Sequence, residues 1–380
     1  MPGNAPSPTT PFPLQDDWLE QVDAQLSGTS IAELDARVGA AAGAQFGTEQ
    51  RATTSEPGPW ELGAYVEAAD AHAGTNAYAR EEVAGGAEAL LYRLYQQPND
   101  RDIEDLLRGI DAERVSLHCT LRYPGQDPAE LFRDLVRFLR RGNYDLTKTR
   151  GSVDFDPLLD WSEPPFPPLI RLLFFVSRWM PGFKVLQVNA AGFNNGIEAA
   201  DLELALALAK GSDYLRELRD RGYPPALGNR HLQFALTVGT SFHGDVAKLH
   251  ALRVLWGRVL EEFDVANPQA VQIAAHSDIV TLTGEPEQDR DRLLIQAMAA
   301  AHGGADLIFL APAAEHYQSA SPTGRDNARS VQHQLRRDGT SLSEVSERAI
   351  TVTAEALVRA TWARYRAIQE QGGFAEVIDF

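Results

Sequence analysis

The chain has 380 residues, of which 44% are hydrophobic and 23% are charged, so it can bury a sizeable core and is not globally disordered. Its length predicts one large domain or two to three ordinary ones. Aspartate and glutamate number 53 against 35 lysines and arginines, which gives a formal net charge of -18. A surface this acidic repels phosphate backbones and anionic lipids and therefore argues against nucleic-acid and membrane binding.

The single cysteine, Cys119, excludes an intramolecular disulfide. It lies in residues 115–119, whose apolar pattern predicts a buried strand and favours packing over thiol reactivity. The N-terminus lacks the basic region and apolar core of a secretory signal. The longest apolar stretch, residues 169–180, is too short to cross a bilayer and predicts a buried helix. We therefore expect a cytoplasmic protein.

The first 58 residues differ in character from the rest. Residues 1–11 predict a disordered tail, and residues 12–58 predict a helical arm. In this arm Trp18, Val22 and Leu26 follow one another at intervals of four and form one apolar stripe. Because so short an arm has too little core to fold alone, we expect it to pack on the main body or on another chain.

From residue 59 to residue 380, short apolar runs alternate with helical patterns. Strands are predicted at eight places, residues 89–94, 115–119, 151–155, 185–190, 232–238, 271–275, 305–311 and 349–352. The predicted helices between them include residues 128–140 and 246–263. Eight strands alternating with helices over this length predict an α/β protein built as a (β/α)8 TIM barrel, preceded by the helical arm.

One loop in the middle of the chain is the most informative segment. Residues 192–201, Gly-Phe-Asn-Asn-Gly-Ile-Glu-Ala-Ala-Asp, follow an apolar run and precede a helical pattern. The loop therefore belongs at the C-terminal end of a strand, where barrels carry their catalytic residues. Neither Phe193 nor Asn194 can act as an acid, a base or a nucleophile near neutral pH. A loop in the catalytic position without catalytic side chains favours a partner of an enzyme over an enzyme.

Five motifs along the chain occur in the order found in one enzyme family. They are Gly-Gly-Ala-Glu-Ala-Leu at 85–90, Gly-Ser-Val-Asp-Phe-Asp-Pro-Leu at 151–158, Ala-Lys-Leu-His-Ala-Leu-Arg-Val-Leu-Trp at 247–256, Ala-Met-Ala-Ala-Ala-His-Gly-Gly at 297–304 and Gly-Gly-Phe at 372–374. With them the chain resembles the cobalamin-dependent methylmalonyl-CoA mutases, and it is most similar to their non-catalytic small subunits. The resemblance runs from residue 12 to the C-terminus and implies a barrel whose N-terminal arm wraps a partner subunit.

The sequence departs from this family at the positions that the resemblance marks as catalytic. Catalytic members carry a Tyr-His pair where this chain has Phe193 and Asn194, and that His polarises the substrate thioester. Asn194 can donate a hydrogen bond but cannot adopt the states of an imidazole. They also carry a Gln where Asp154 stands, and a carboxylate there would repel the substrate carboxylate. The Arg that binds this carboxylate has no counterpart in residues 159–166. We therefore expect no catalytic residues.

The resemblance further implies a cobalamin domain after the barrel, with an Asp-x-His-x-x-Gly motif. The sequence ends at Phe380 without this motif, so we expect no cofactor on this chain alone and adenosylcobalamin in the partner subunit. His276, which ends a predicted strand, is a weak candidate for substrate binding, as is Asn194; a hydrogen-bonded structural histidine is the better interpretation of His276. No metal site is predicted.

The leading hypothesis is a small, structural subunit that forms a heterodimer with a large catalytic mutase subunit, which interconverts methylmalonyl-CoA and succinyl-CoA. One alternative is the catalytic barrel of a split acyl-CoA mutase that takes cobalamin from a separate protein. Another is a regulatory module that binds acyl-CoA. These hypotheses differ in whether the barrel axis admits a CoA chain, which the side chains inside the barrel decide.

Overall fold

A computed structural model describes residues 59–68, 72–121, 128–154, 166–266, 268–312, 321–339 and 341–377. The predicted tail and arm, residues 1–58, lie outside these ranges. The strands are β1 Glu61–Ala68, β2 Ala89–Leu94, β3 Ser116–Leu121, β4 Arg150–Asp154, β5 Gly182–Lys184, β6 Leu186–Asn189, β7 Leu232–Val238, β8 Gln272–Ser277 and β9 Leu307–Phe309. The helices are α1 His72–Ala84, α2 Asp100–Leu107, α3 Pro128–Arg141, α4 Phe166–Trp179, α5 Ala200–Asp220, α6 Pro225–Arg230, α7 Phe242–Glu262, α8 Pro286–His302, α9 Pro322–Asp338, α10 Glu344–Glu370 and α11 Phe374–Val377.

The strands form one parallel sheet that curls into a barrel. Their order is β5-β4-β3-β2-β1-β9-β8-β7-β6. Only Val185 separates β5 from β6, and β5 pairs with β4 while β6 pairs with β7. This interrupted strand therefore completes a ring of eight, and the predicted (β/α)8 barrel is confirmed. None of the helices in the described ranges is long and apolar enough to cross a membrane.

Two details of the strand prediction are wrong. The run at 349–352 lies inside α10, a helix that begins after Ser343, whose side chain accepts a hydrogen bond from the backbone N–H of Ser346. The apolar residues of this run belong to a longer helix face, on which apolar residues recur every three to four positions. Taken alone, the short run has the pattern of a strand. The barrel strand missing from the prediction is β1, which pairs with both β2 and β9. Consequently the predicted strand at 151–155, which is third among the eight predicted, corresponds to the fourth barrel strand, β4.

Most of the apolar core lies between the barrel wall and the surrounding helices, and a buried ion pair crosses this layer. The Nζ atom of Lys248, on α7, lies 3.1 Å from a carboxylate oxygen of Glu203, on α5. Lys248 also donates to the carbonyl of Thr237 at 2.7 Å, and Asp245 lies 3.5 Å from the same ammonium. These contacts fix α5 and α7 against the end of β7.

A second, smaller apolar cluster lies apart from this layer, inside the barrel. Its members come from alternate positions of four strands and are Tyr65, Ala89, Leu91, Ala274, Leu307, Phe309 and Ala311. Because side chains of a strand point alternately to its two faces, this cluster identifies which residues of each strand face the barrel axis.

Candidate functional site

The mouth of the barrel, at the carboxyl ends of the strands, is lined by polar side chains. Glu67, Arg93, Thr120 and Asp154 are consecutive register partners on β1, β2, β3 and β4. Glu67 and Arg93 lie two residues beyond Tyr65 and Leu91 of the inner cluster, so their side chains also project from the inner face. Of the residues predicted from the sequence, Asp154 therefore lies at the position where barrels bind ligands.

The only guanidinium in this row is held by protein groups. Nη1 of Arg93 lies 2.7 Å from Oε1 of Glu67, and the hydroxyl of Tyr95 donates to Oε2 of the same carboxylate at 2.7 Å. The guanidinium carbon lies 4.3 Å from the centre of the Tyr65 ring, which is a cation–π contact. With Asp154 included, the row carries two carboxylates and one guanidinium. Its net negative charge disfavours an anionic ligand.

Below this row, aromatic rings from β1, β3, β8 and β9 pack together inside the barrel. The hydroxyl of Tyr65 lies 2.7 Å from Nδ1 of His276, whose ring stacks on Phe309 with centroids 5.3 Å apart. Phe309 is only 1% exposed and also meets the edge of His118, at a centroid distance of 5.7 Å. Since β9 and β3 are separated by β1 and β2, the contact between Phe309 and His118 spans the interior. A Cβ atom added to Gly63 would lie 2.3 Å from the Phe309 ring, so this glycine makes room for it.

The lower part of the interior is a closed hydrogen-bond network. Nδ1 of His118 lies 2.8 Å from the hydroxyl of Ser152, and Nε2 lies 3.0 Å from the hydroxyl of Ser116. Ser116 donates to Glu61, which can only accept as a carboxylate, so Nε2 of His118 carries the proton and Nδ1 accepts from Ser152. Burial lowers the pKa of His118 to about 3, which keeps the ring neutral. Every member thus has a protein partner.

The loop with Phe193 and Asn194 follows β6, and the ring of Phe193 packs away from this row. Phe193 ends a single 3-10 turn after β6, and its ring packs against Phe374 at a centroid distance of 5.6 Å. Nζ of Lys210, on α5, lies 5.7 Å from the same ring. Asn194 Oδ1 accepts a hydrogen bond from the backbone N–H of Gly196 at 3.3 Å. Phe193 thus packs toward α5 and α11, whereas Asp154 and His276 belong to the barrel interior.

Sequence reasoning missed the residues that shape this interior. Arg93 could have indicated a polar position at the end of its strand, since it is the single charge in the apolar sequence Ala-Leu-Leu-Tyr-Arg-Leu. Tyr65 could not be assigned to the interior from the sequence because its strand, β1, was not predicted. Within the ranges that the structure describes, no group of three or more His, Cys, Asp or Glu side chains could hold a metal ion. Burial raises the pKa of the Cys119 thiol, so it stays protonated.

Comparison with known proteins identifies the family. A sequence model described as methylmalonyl-CoA mutase matches residues 99–380. The chain belongs to the methylmalonyl-CoA mutase family. The small subunit of this mutase from Porphyromonas gingivalis is 24% identical over 290 residues, which cover 72% of this chain and 46% of that protein. A probable small subunit from Mycobacterium bovis is 27% identical over 342 residues, which cover 84% of this chain and 54% of that protein.

Large subunits of the mutase match as well. That of P. gingivalis is 23% identical over 363 residues, covering 84% of this chain and 50% of that protein. The chain thus spans about half the length of the curated relatives that it matches. The predicted resemblance to mutase small subunits is confirmed, and the names of the relatives indicate that family members occur as small and large subunits.

Proposed function

We propose that this chain is a non-catalytic, structural subunit of a cobalamin-dependent methylmalonyl-CoA mutase in the cytoplasm. In this proposal it forms a heterodimer with a large subunit that binds adenosylcobalamin and acyl-CoA and performs the interconversion of methylmalonyl-CoA and succinyl-CoA. The contribution of the chain is stabilisation of its partner. A subunit that binds only the folded form of the partner shifts the folding equilibrium toward that form.

The observation that carries this proposal is the aromatic packing around Phe309 inside the barrel. Phe309 contacts Tyr65, His118 and His276 inside the barrel. We infer that these packed rings obstruct the axis to a long ligand such as a CoA thioester. A packed interior of this kind stabilises a barrel as an ordinary core does. It argues against both alternatives, the split catalytic barrel and the acyl-CoA sensor.

The charges and hydrogen bonds of the mouth support the same conclusion. The Arg93 guanidinium, which would otherwise bind a substrate carboxylate, is paired with Glu67. Asp154 adds a negative charge to the row, and an acyl-CoA whose acyl group carries a carboxylate would be repelled by it. Phe193 packs on Phe374 and supplies no polar group.

The two histidines inside the barrel do not fit the lower ligand of a cobalamin. The cobalt of this cofactor takes a histidine as its lower ligand in the family that the chain resembles. His276, near the end of β8, is hydrogen-bonded to Tyr65 and stacked on Phe309. His118 is buried between two serine hydroxyls. We therefore assign the cofactor to the partner subunit.

The test is co-expression of the chain with a candidate large mutase subunit, followed by sizing and an activity assay. We expect a one-to-one complex whose activity is unchanged by Asp154→Asn in this chain and is abolished by inactivating the large subunit. The matched control is the same assay with each chain alone. Turnover that falls at least tenfold with Asp154→Asn would contradict the structural role and favour a split enzyme. Saturable binding of a CoA thioester by the isolated chain would favour a sensor.

A further inference from the structure

An aromatic and basic surface lies on the outside of the barrel, away from its mouth. On α4, Arg171, Phe174 and Arg178 occupy positions i, i+3 and i+7 and therefore share one helix face. Phe174 is 50% exposed and Trp179, which ends the helix, is 45% exposed. Arg230, on α6, reaches the same region, where its Nη1 donates to the Ser177 hydroxyl at 3.4 Å. We call these six residues the α4 surface.

The aromatic rings of this surface are held in place, although they are open to solvent. Phe174 meets the ring of Tyr223 edge to face at a centroid distance of 5.6 Å. The guanidinium of Arg178 lies 5.1 Å from the centre of the Trp179 ring. An arginine stacked on an aromatic face keeps its N–H edge free to bind a carboxylate. The surface is thus ordered before any partner arrives, which lowers the entropy cost of binding.

The charge of the α4 surface is opposite to that of the whole chain. Among the residues that the structure describes, Arg171, Arg178 and Arg230 form no ion pair with a carboxylate, whereas most other arginines do. The net charge of the chain is -18. Three uncompensated guanidinium groups beside exposed aromatic rings therefore form a locally basic surface on an acidic protein.

We propose that the α4 surface is a docking surface for the partner subunit, which presents carboxylates around an apolar pocket. This inference rests on the proposed function, since it names the surface through which the structural subunit binds. Trp, Tyr and Arg are the residues that most often dominate the binding energy of protein interfaces. A stable interface buries about 800 Å² on each partner, so these side chains form the centre of a larger contact.

A different chain fits this surface better than a second copy does. In a two-fold dimer the same surface is present on both subunits. Such a contact would bring Arg171, Arg178 and Arg230 near their own copies, and like charges at an interface repel. An acidic surface on a different subunit supplies the missing carboxylates. The partner is therefore a protein of complementary charge.

The test compares variants of the full chain in complex with the large subunit. We expect Phe174→Ser with Trp179→Ser to weaken the complex at least tenfold, and Arg178→Glu to weaken it similarly and to reduce its dependence on salt. The matched controls are Val345→Ser, which replaces a hydrophobic residue that is 51% exposed on α10, and Arg101→Glu, which reverses an exposed arginine on α2. Binding is measured by titration calorimetry, and thermal unfolding shows that each variant is folded.

The outcomes separate this inference from the proposed function. Wild-type binding that the α4 variants leave unchanged would overturn the docking surface and leave the subunit role standing. The absence of any complex with the wild-type chain would overturn both. A homodimer of the isolated chain that the α4 variants dissociate would overturn the assignment to a different partner. Weakening by the α4 variants and not by the controls supports it.

Discussion

The hydroxyl of Tyr65 lies 2.7 Å from Nδ1 of His276 and joins β1 to β8 inside the barrel. The strand between them, β9, contributes Phe309, whose ring stacks on the imidazole. His276, near the end of β8, is thereby held on one side by a hydrogen bond and on one face by an aromatic ring. Its surroundings are those of a packed interior, and this relationship is open to a direct test.

Replacing Tyr65 by Phe removes this hydrogen bond and keeps the ring. We expect Tyr65→Phe to lower the free energy of unfolding by about 1 kcal/mol, the usual net contribution of an internal hydrogen bond. Urea denaturation measures the change. The control is Tyr95→Phe, which removes a hydroxyl bonded to Glu67 from a side chain that is 49% exposed and should cost less. A larger loss for Tyr95→Phe would contradict the packed-interior interpretation.

The packing of Phe309 inside the barrel leads to a second prediction. Phe309→Ala removes a ring that contacts Tyr65, His118 and His276, and it leaves a cavity inside the barrel. We expect it to lower the free energy of unfolding by about 3 to 5 kcal/mol, as truncation of a buried Phe does. The matched control is Phe174→Ala, at a position that is 50% exposed, which should cost far less in the isolated chain. Equal losses at both positions would show that Phe309 does not fill the interior.

The sequence predicted the barrel better than it predicted its interior. Seven of the predicted strands overlap β2, β3, β4, β6, β7, β8 and β9, because short β-branched and apolar runs separated by helical patterns are visible locally. The missed strand, β1, contains Gly63 and two glutamates, which weaken any local strand pattern. The wrong strand prediction at 349–352 has a similar origin. Four residues carry too little periodicity to distinguish a strand from one turn of a long helix.

The contents of the barrel were not predictable for a different reason. Whether a strand residue faces the axis depends on register with neighbouring strands, which is set by contacts between residues far apart in the chain. Gly63 and Phe309 illustrate this, because the absence of a side chain on one strand makes room for a ring from another. The family resemblance marked Phe193, Asn194 and Asp154, yet only the three-dimensional arrangement separates Asp154 in the mouth from Phe193 against α11.

The buried imidazole of His118 predicts sensitivity to acid. Burial lowers the pKa of His118 to about 3, whereas the ring titrates near 6.5 when the chain unfolds. Between these pH values the unfolded state binds more protons than the folded state, so the free energy of unfolding falls as the pH falls through this window. Above about pH 6.5, His118 adds no pH dependence to the free energy of unfolding. We expect His118→Gln to flatten the dependence of the unfolding free energy on pH between about 6.5 and 4.

Urea denaturation at several pH values measures this slope. The control is Ser152→Ala, which removes the hydroxyl partner of His118 and keeps the imidazole buried, so the slope should persist. A slope unchanged by His118→Gln would show that another group is responsible. Nitrogen NMR of the ring gives an independent readout, and we expect the proton on Nε2 because Ser116 donates to Glu61.

The ion pair between Lys248 and Glu203 predicts strong coupling between two helices. Both side chains are almost fully buried, at 2% and 0% exposure, so removing one partner leaves a charge with little access to water. We expect Lys248→Met to lower the free energy of unfolding by about 3 to 5 kcal/mol, the cost of breaking a buried pair. Burial raises the pKa of Glu203, and without the ammonium this carboxyl is driven further toward its protonated form.

A double-mutant cycle tests the coupling. We expect Glu203→Leu combined with Lys248→Met to cost clearly less than the sum of the two single changes, since no uncompensated charge remains between these two positions. Asp245, 3.5 Å from the ammonium, keeps its hydrogen bond from the backbone N–H of Gly239, and it limits the recovery because its own charge loses a partner. The control is Arg366→Met, which breaks an ion pair with Glu262 whose arginine is 52% exposed and should cost less than about 1 kcal/mol. Additive losses in the cycle would mean that Lys248 and Glu203 stabilise the fold independently, through packing alone.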